Sequence, residues 1–125
     1  MAYDDSNIFA RMLRGEIPCN KIAEDDYALA FHDIAPQAPV HALVIPKAAY
    51  IDLDDFSANA SDAEIAGFWR MVGQAGRMLG VAPAAGGDGY RLISNAGPDA
   101  HQEVPHFHIH IVGGHPVGRM LADAG

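Results

Sequence analysis

The chain has little positive charge. Its 125 residues include 8 Lys and Arg against 16 Asp and Glu, which gives a net charge of −8, and the basic residues are scattered along the sequence. Binding of long nucleic acids depends on neutralising many phosphates. The composition therefore excludes nucleic acid as an expected partner, whereas backbone N–H groups, hydroxyls and imidazoles can still hold a small phosphorylated ligand.

Disulfides, export signals and membrane spans are also not indicated. The single cysteine, Cys19, cannot form an internal disulfide, which is typical of a reducing compartment. The first residues carry acids where a signal peptide needs positive charge, and no apolar run approaches the ~20 residues that cross a bilayer. We therefore expect a soluble cytoplasmic protein that has no membrane partner. With 50% hydrophobic residues, residues 1–125 should form one domain.

Two segments have the pattern of amphipathic helices. Ser6 is a candidate cap for a short helix that ends near Gly15. Ser61 and Glu64 form a capping-box pattern, and apolar residues follow at helical spacing, so the main helix is predicted at roughly 61–80. Residues 50–60 are interpreted as a surface connection.

Five segments have the pattern of strands. NKIAEDD and YALAFHD predict a hairpin, and HALVIPK, YRLISN and PHFHIHIV predict three more strands. Strand and helix do not alternate along the chain, as they would in a doubly wound fold. The sequence therefore predicts an α+β fold with a five-stranded, mostly antiparallel sheet and two helices.

Three histidines alternate with apolar residues near the C-terminus. In a strand, the period of two places His106, His108 and His110 on one face, with successive rings ~6.6 Å apart. Neutral and protonated imidazoles on one face could share a phosphate. The same pattern also suits a zinc site, completed by His41 or a carboxylate, or a structural group of histidines. Spacing alone leaves these interpretations open.

Several motifs together resemble a known family. H-F-H-I-H-I-V is similar to the defining motif of the histidine-triad (HIT) family. FHDIAPQAPVHALVIPK, SNAGPDAHQEVPHFHIHIVGG and GRMLA resemble segments of its Hint branch, the purine nucleoside phosphoramidases, in nearly the same order. The resemblance covers almost the whole chain. It implies a HIT-like fold, a homodimer and a purine nucleotide ligand such as AMP.

The resemblance also implies roles for four histidines. His108 would be the nucleophile that attacks the α-phosphorus, and His110 would contact the phosphate and assist the leaving group. His106 would support them. His41 would lie near the triad and orient or relay protons.

Further residues are implied in nucleotide binding. Asp33 would bind the ribose hydroxyls, since a carboxylate can accept from a vicinal diol. Asn95 and Gln102 would donate to the phosphate through their amides. The residues expected to line the purine pocket are Ile8, Phe9, Met12, Phe31 and Ile34, although apolar residues at these spacings are also typical of ordinary core.

Two residues depart from the family pattern just before the triad. His101 stands where many relatives have Gly, so a positive φ at this position would strain the backbone. Glu103 stands where some relatives carry a Ser that contacts phosphate. Its side chain would repel a phosphate, which leaves only its backbone N–H as a phosphate contact.

The resemblance thus implies hydrolysis of the P–N bond of purine nucleoside 5′-phosphoramidates through a nucleotidyl-histidine intermediate. No metal or organic cofactor is required by this scheme. The alternatives within the family are a dinucleoside polyphosphate hydrolase and a nucleotidyl transferase, which use the same nucleophile with another leaving group. An alternative of another class is a non-catalytic nucleotide- or zinc-binding interaction protein.

Overall fold

The computed structural model describes residues 2–121; Met1 and residues 122–125, which include the end of the GRMLA segment, lie outside them. Five antiparallel strands form one sheet in the order β1-β2-β3-β5-β4. The elements in chain order are α1 (Ile8–Leu13), β1 (Lys21–Glu24), β2 (Ala28–His32), β3 (Val40–Pro46), α2 (Leu53–Asn59), α3 (Asp62–Met78), β4 (Tyr90–Ile93) and β5 (Ile109–Gly113). The predicted α+β class and five-stranded antiparallel sheet are confirmed.

The number of helices predicted from the sequence is wrong. Residues 53–59 form α2 within the segment interpreted as a surface connection. The Asp52 side chain caps this helix by accepting from the N–H of Asp55, and Phe56 is buried in the core. Three α-helices are therefore present among residues 2–121, where two were expected.

Capping residues fix the ends of the other helices. Ser61 and Glu64 form the predicted capping box of α3. At α1 the cap is Asn7, whose side chain accepts from the N–H of Ala10, so the assignment of Ser6 as the cap is wrong. The Ser6 hydroxyl donates instead to Asp4.

The central strands β2, β3 and β5 are buried on both faces of the sheet, and their residues alternate between the two faces. One face packs against α2 and α3, and its core is made of Ala28, Ala30, Ala42, Val44, Phe107, Ile109 and Ile111 with helix residues such as Phe56, Phe68 and Met71. The other face packs against α1 through Phe9, Leu29, Phe31, Leu43 and Ile45. None of the helices within residues 2–121 is long and apolar enough to cross a membrane.

Candidate active site

The triad alternates across the sheet as the period of two predicts. Phe107, Ile109 and Ile111 lie in the core beneath α3. The intervening histidines lie on the side of α1: the ring of Phe9 contacts both His106 and His108, with ring centroids 6.3 and 5.1 Å apart. His108 and His110 have ring centroids 5.1 Å apart. The structure thus brings the three imidazoles together on one face, although β5 begins only at Ile109.

Strand pairing brings His41 to the end of the triad. Leu43 of β3 is opposite His110 of β5 in the antiparallel register, and His41 lies two residues away on the same face of β3. Its Nε2 lies 2.9 Å from Nδ1 of His110. A residue 69 positions away in the sequence is therefore in direct contact with the triad.

A backbone group fixes the protons of His41 and His110. The N–H of Gln37 donates to Nδ1 of His41 at 3.0 Å, and because an N–H can only donate, Nδ1 carries no proton. Neutral His41 therefore has its proton on Nε2 and donates it to Nδ1 of His110. His110 in turn carries its own proton on Nε2, where it can be donated to a ligand.

The tautomer of His108 follows from its contact with a backbone carbonyl. Its Nδ1 lies 2.7 Å from the carbonyl oxygen of His106, so Nδ1 carries the proton and Nε2 has a free lone pair. Every buried side-chain nitrogen and oxygen within residues 2–121 has a hydrogen-bond partner. Nε2 of His108 has none among these residues and is therefore reachable by solvent.

Burial keeps the triad neutral. It lowers the pKa of His106 from 6.5 to about 4, because the charged ring would lose its hydration. Burial also lowers the pKa of His108, and burial with the neighbouring His108 and His41 lowers that of His110 to about 4. At neutral pH the group contains uncharged imidazoles, one of which has a free lone pair.

Asp33 lies beside the histidines in a position that could also suit a metal ion. One carboxylate oxygen accepts from the N–H of Ala35 at 2.8 Å, and the other lies 3.4 Å from Nε2 of His41. Single donor atoms of Asp33, His41 and His110 lie within 4.8 Å of one another. These three residues form the candidate metal-ligating group among residues 2–121.

The predicted purine-pocket residues divide into two groups. Phe9 and Phe31 are buried and pack edge to face with ring centroids 5.6 Å apart, and Met12 packs against the same cluster. Ile8 and Ile34 are exposed and belong to neither buried cluster. The structure thus brings three of the five together beside the triad and leaves two on the surface.

The loop before the triad uses the predicted phosphate contacts differently. The amide nitrogen of Gln102 donates to the carbonyls of Ile51 and Val104, at 2.8 and 3.1 Å, so both of its hydrogens are engaged. Its carbonyl oxygen accepts from the N–H of Gly97. The side chain of Gln102 therefore stabilises the loop before the triad through these three hydrogen bonds. The partly buried amide of Asn95 makes no hydrogen bond within residues 2–121 and is free to meet a ligand.

His101 adopts a positive φ, which strains the backbone of any residue other than glycine. With φ of 57° it is the one non-glycine residue at positive φ within residues 2–121. Its exposed ring lies 3.1 Å from the carboxylate of Glu103, which is also exposed. The side chains of His101 and Glu103, the two residues that depart from the family pattern, thus contact each other at the surface.

Sequence reasoning missed three residues that contact the histidines directly or through one other residue. They are Gln37, whose backbone orients His41, and Tyr3 and Asn7, which form a hydrogen-bonded pair at His106. Tyr3 precedes the predicted α1 and shares no motif with the triad. No local pattern could have revealed a contact between residues 103 positions apart.

Comparison with known proteins decides the family. The family profile of the HIT domain matches residues 14–117, a span that contains β1 to β5 and all four histidines. This chain belongs to the HIT domain family. The resemblance seen in the sequence is thereby confirmed, and the HIT-like fold is confirmed by similar solved structures.

Similar proteins match this HIT protein over nearly their full lengths. An uncharacterised HIT-like protein of Azospirillum brasilense is 60% identical over 95% of this chain and 94% of its own. The purine nucleoside phosphoramidase of Escherichia coli is 40% identical over 97% of this chain and 98% of its own. A HIT family hydrolase from Clostridium thermocellum is 33% identical, with a TM-score of 0.83 over 94% of this chain and 99% of its own. These relatives support a hydrolase.

Proposed function

We propose that this HIT protein hydrolyses the P–N bond of purine nucleoside 5′-phosphoramidates, such as adenosine 5′-phosphoramidate, through a nucleotidyl intermediate on His108. The observation that carries the proposal is the free Nε2 lone pair of His108, held beside the Nε2–H of His110. The 40% identity to the phosphoramidase of E. coli supports the choice of substrate.

In the first step, Nε2 of His108 forms a bond to the α-phosphorus as the bond from phosphorus to the leaving nitrogen breaks. The leaving nitrogen takes its proton from solvent, while the Nε2–H of His110, which His41 has oriented, donates a hydrogen bond to the phosphate. The phosphorylated ring of His108 becomes cationic. The carbonyl of His106 stabilises this charge by accepting the Nδ1–H at 2.7 Å.

In the second step, water attacks the phosphorus and releases AMP together with neutral His108. The attacking water gives up one proton to solvent, and His110 keeps its starting tautomer throughout. Splitting one displacement into two is the advantage of a covalent intermediate. Asp33 is proposed to accept from the ribose hydroxyls, Asn95 to donate to the phosphate, and Phe9, Met12 and Phe31 to face the purine.

We propose that neither a metal nor an organic cofactor takes part. When one ring nitrogen of a histidine binds a metal, the other nitrogen usually carries a proton and donates it to a hydrogen-bond acceptor. Nδ1 of His41 instead faces the N–H of Gln37, which keeps a proton on Nε2, the atom directed toward Asp33 and His110. A zinc ion there would have to displace this proton and break the contact with Gln37. Titration with zinc, followed by calorimetry, tests this proposal.

A homodimer and a cytoplasmic location belong to the same proposal. Trp69 and Met78 of α3 are exposed, as are Leu92 and Ile93 of the edge strand β4. Apolar side chains on an outer helix and an unpaired strand edge favour association with a second copy. Sedimentation of the wild-type protein tests the dimer.

The test is to quench the enzyme early in turnover on adenosine 5′-phosphoramidate, avoiding acid, and to analyse it by mass spectrometry. We expect one adenylyl group on His108 and release of AMP. His108→Ala should give neither, with an unchanged circular dichroism spectrum. His115→Ala, which removes an exposed histidine just beyond β5, is the matched control and should turn over normally.

Parallel assays separate the alternatives. Faster cleavage of a dinucleoside polyphosphate than of the phosphoramidate would indicate the polyphosphate hydrolase, and transfer to an acceptor other than water would indicate the transferase. Tight binding of AMP or zinc without any adduct or AMP release would indicate a binding protein. An active His108→Ala variant would rule out the mechanism.

A further inference from the structure

The N-terminal segment forms a direct contact with the first histidine of the triad. The Tyr3 hydroxyl lies 2.6 Å from Nδ1 of His106, and the two rings meet edge to face with centroids 5.6 Å apart. Nδ2 of Asn7 lies 3.0 Å from the same hydroxyl. Tyr3 therefore links the cap of α1 to a fully buried imidazole.

The hydrogen bonds in this link can run in one direction only. The Oδ1 atom of Asn7 accepts from the N–H of Ala10, so its Nδ2 donates to the Tyr3 oxygen. Nε2 of His106 lies 2.9 Å from the carbonyl of Pro46 and must donate to it, which leaves Nδ1 of the neutral ring without a proton. The Tyr3 hydroxyl therefore donates to Nδ1.

The ring of His106 anchors the backbone of residues 106–108, which the strand pairing of the sheet does not hold. Pairing of β5 with β3 begins at Ile109, so residues 106–108 lie outside the regular ladder. Their backbone is fixed by the N–H of Phe107, which donates to Tyr50, and by the His106 ring between Tyr3 and Pro46. The carbonyl of His106 receives the Nδ1–H of His108.

We propose that Tyr3 is a positioning residue, which holds the ring of His106 in its orientation through a hydrogen bond to Nδ1 and, through the carbonyl of His106, holds the orientation of His108. Tyr3 acts on the substrate only through these two histidines. The consequence for turnover rests on the function proposed above, whereas the hydrogen bond to His106 does not. The two parts can therefore be tested separately.

The variant Tyr3→Phe tests the proposal because it keeps the ring and its contact with His106 and removes the hydroxyl. In ¹⁵N spectra of the imidazoles, we expect wild-type His106 to have a proton on Nε2 and a hydrogen-bonded Nδ1. In the variant, Nδ1 should lose the shift caused by that hydrogen bond. The kcat for adenosine 5′-phosphoramidate should fall roughly tenfold, the loss expected for one hydrogen bond, with KM within about twofold.

A second variant separates this role from simple stabilisation of α1. Asn7→Asp retains an oxygen for the N–H of Ala10 but replaces Nδ2, which donates to the Tyr3 hydroxyl and to the carbonyl of Asp4, by an acceptor that attracts the proton of Tyr3 away from His106. It should reproduce the changes of Tyr3→Phe with α1 still capped. Tyr27→Phe is the matched control, because the ring of Tyr27 packs against Gly67 of α3, and it should leave both readouts unchanged.

Each other result would overturn the proposal. Unchanged ¹⁵N shifts of His106 in Tyr3→Phe would show that the hydroxyl does not donate to Nδ1, whatever happens to kcat. Changed shifts with wild-type kcat and adduct formation would show that the hydrogen bond to His106 does not influence His108. If the wild-type protein had no phosphoramidase activity, the proposed function would fail, and the ¹⁵N spectra would still decide the link between Tyr3 and His106.

Discussion

The buried ring of His106 predicts that acid destabilises the fold through one identifiable proton. The unfolded chain binds a proton on this imidazole near its ordinary pKa of 6.5, whereas burial lowers the pKa in the folded chain to about 4. Between these values the unfolded state binds more protons. The contribution of His106 to the free energy of unfolding is therefore complete above pH 6.5 and is lost as pH falls toward 4.

The size of the effect follows from the difference in pKa. Each pH unit within the window changes the free energy of unfolding by ~1.4 kcal/mol for one proton, so His106 should account for a loss of about 2 kcal/mol between pH 7 and pH 5. Its ring is fully buried, so solvent does not screen the effect. The carboxylates whose pKa values are lowered, such as those of Glu24 and Glu64, titrate below this range.

Urea unfolding at pH 7, 6 and 5 measures this loss. His106→Gln keeps an amide that can donate to the carbonyl of Pro46 but cannot titrate. The variant should be less stable at pH 7 and should lose about 2 kcal/mol less than the wild type on going to pH 5. His108 and His110 remain in both proteins, so the comparison isolates the proton of His106 together with its electrostatic coupling to His108. Parallel curves for the two proteins would refute the assignment of a neutral, buried His106.

Three other variants test separate parts of the structure. His41→Ala removes the donor to Nδ1 of His110 and should lower the kcat for phosphoramidate roughly 100-fold, as measured by AMP release. His101→Gly relieves the positive φ and should raise stability by up to about 1 kcal/mol in thermal unfolding; a loss would show that this conformation is not strained. Gly67→Ala places a Cβ 2.4 Å from the Tyr27 ring and should lower the free energy of unfolding by about 1–3 kcal/mol in urea.

The positions of the triad residues could be predicted because they follow from local periodicity. Alternation assigns His108 and Ile109 to opposite faces of a strand whatever the rest of the fold does. The capping box at Ser61 likewise depends on residues three positions apart. In contrast, α2 has one buried residue, Phe56, in two turns, so it has no repeating apolar pattern to detect.

Long-range and irregular contacts could not be predicted in this way. The role of Gln102 depends on the carbonyls of Ile51 and Val104, which lie outside the strands and accept hydrogen bonds from its amide nitrogen. The contact between Tyr3 and His106 depends on where α1 packs on the sheet. The sequence indicates only that a positive φ at residue 101 would be strained. The structure shows that His101 does adopt a positive φ.

The four histidines form a group whose protons are placed by groups that can only donate or only accept. The N–H of Gln37 fixes His41 and, through it, His110, while the carbonyls of Pro46 and His106 fix His106 and His108. This arrangement holds only while the rings are neutral, because a second proton would break the contacts that the bare nitrogens of His41, His110 and His106 accept and would occupy the free nitrogen of His108. Burial supplies the neutrality by lowering the pKa of the triad, and the same burial makes the fold sensitive to acid. A substitution that exposed the triad to water would therefore reduce the loss of stability below pH 6 and, at that pH, allow protonation of the His108 nitrogen that is proposed to attack phosphorus.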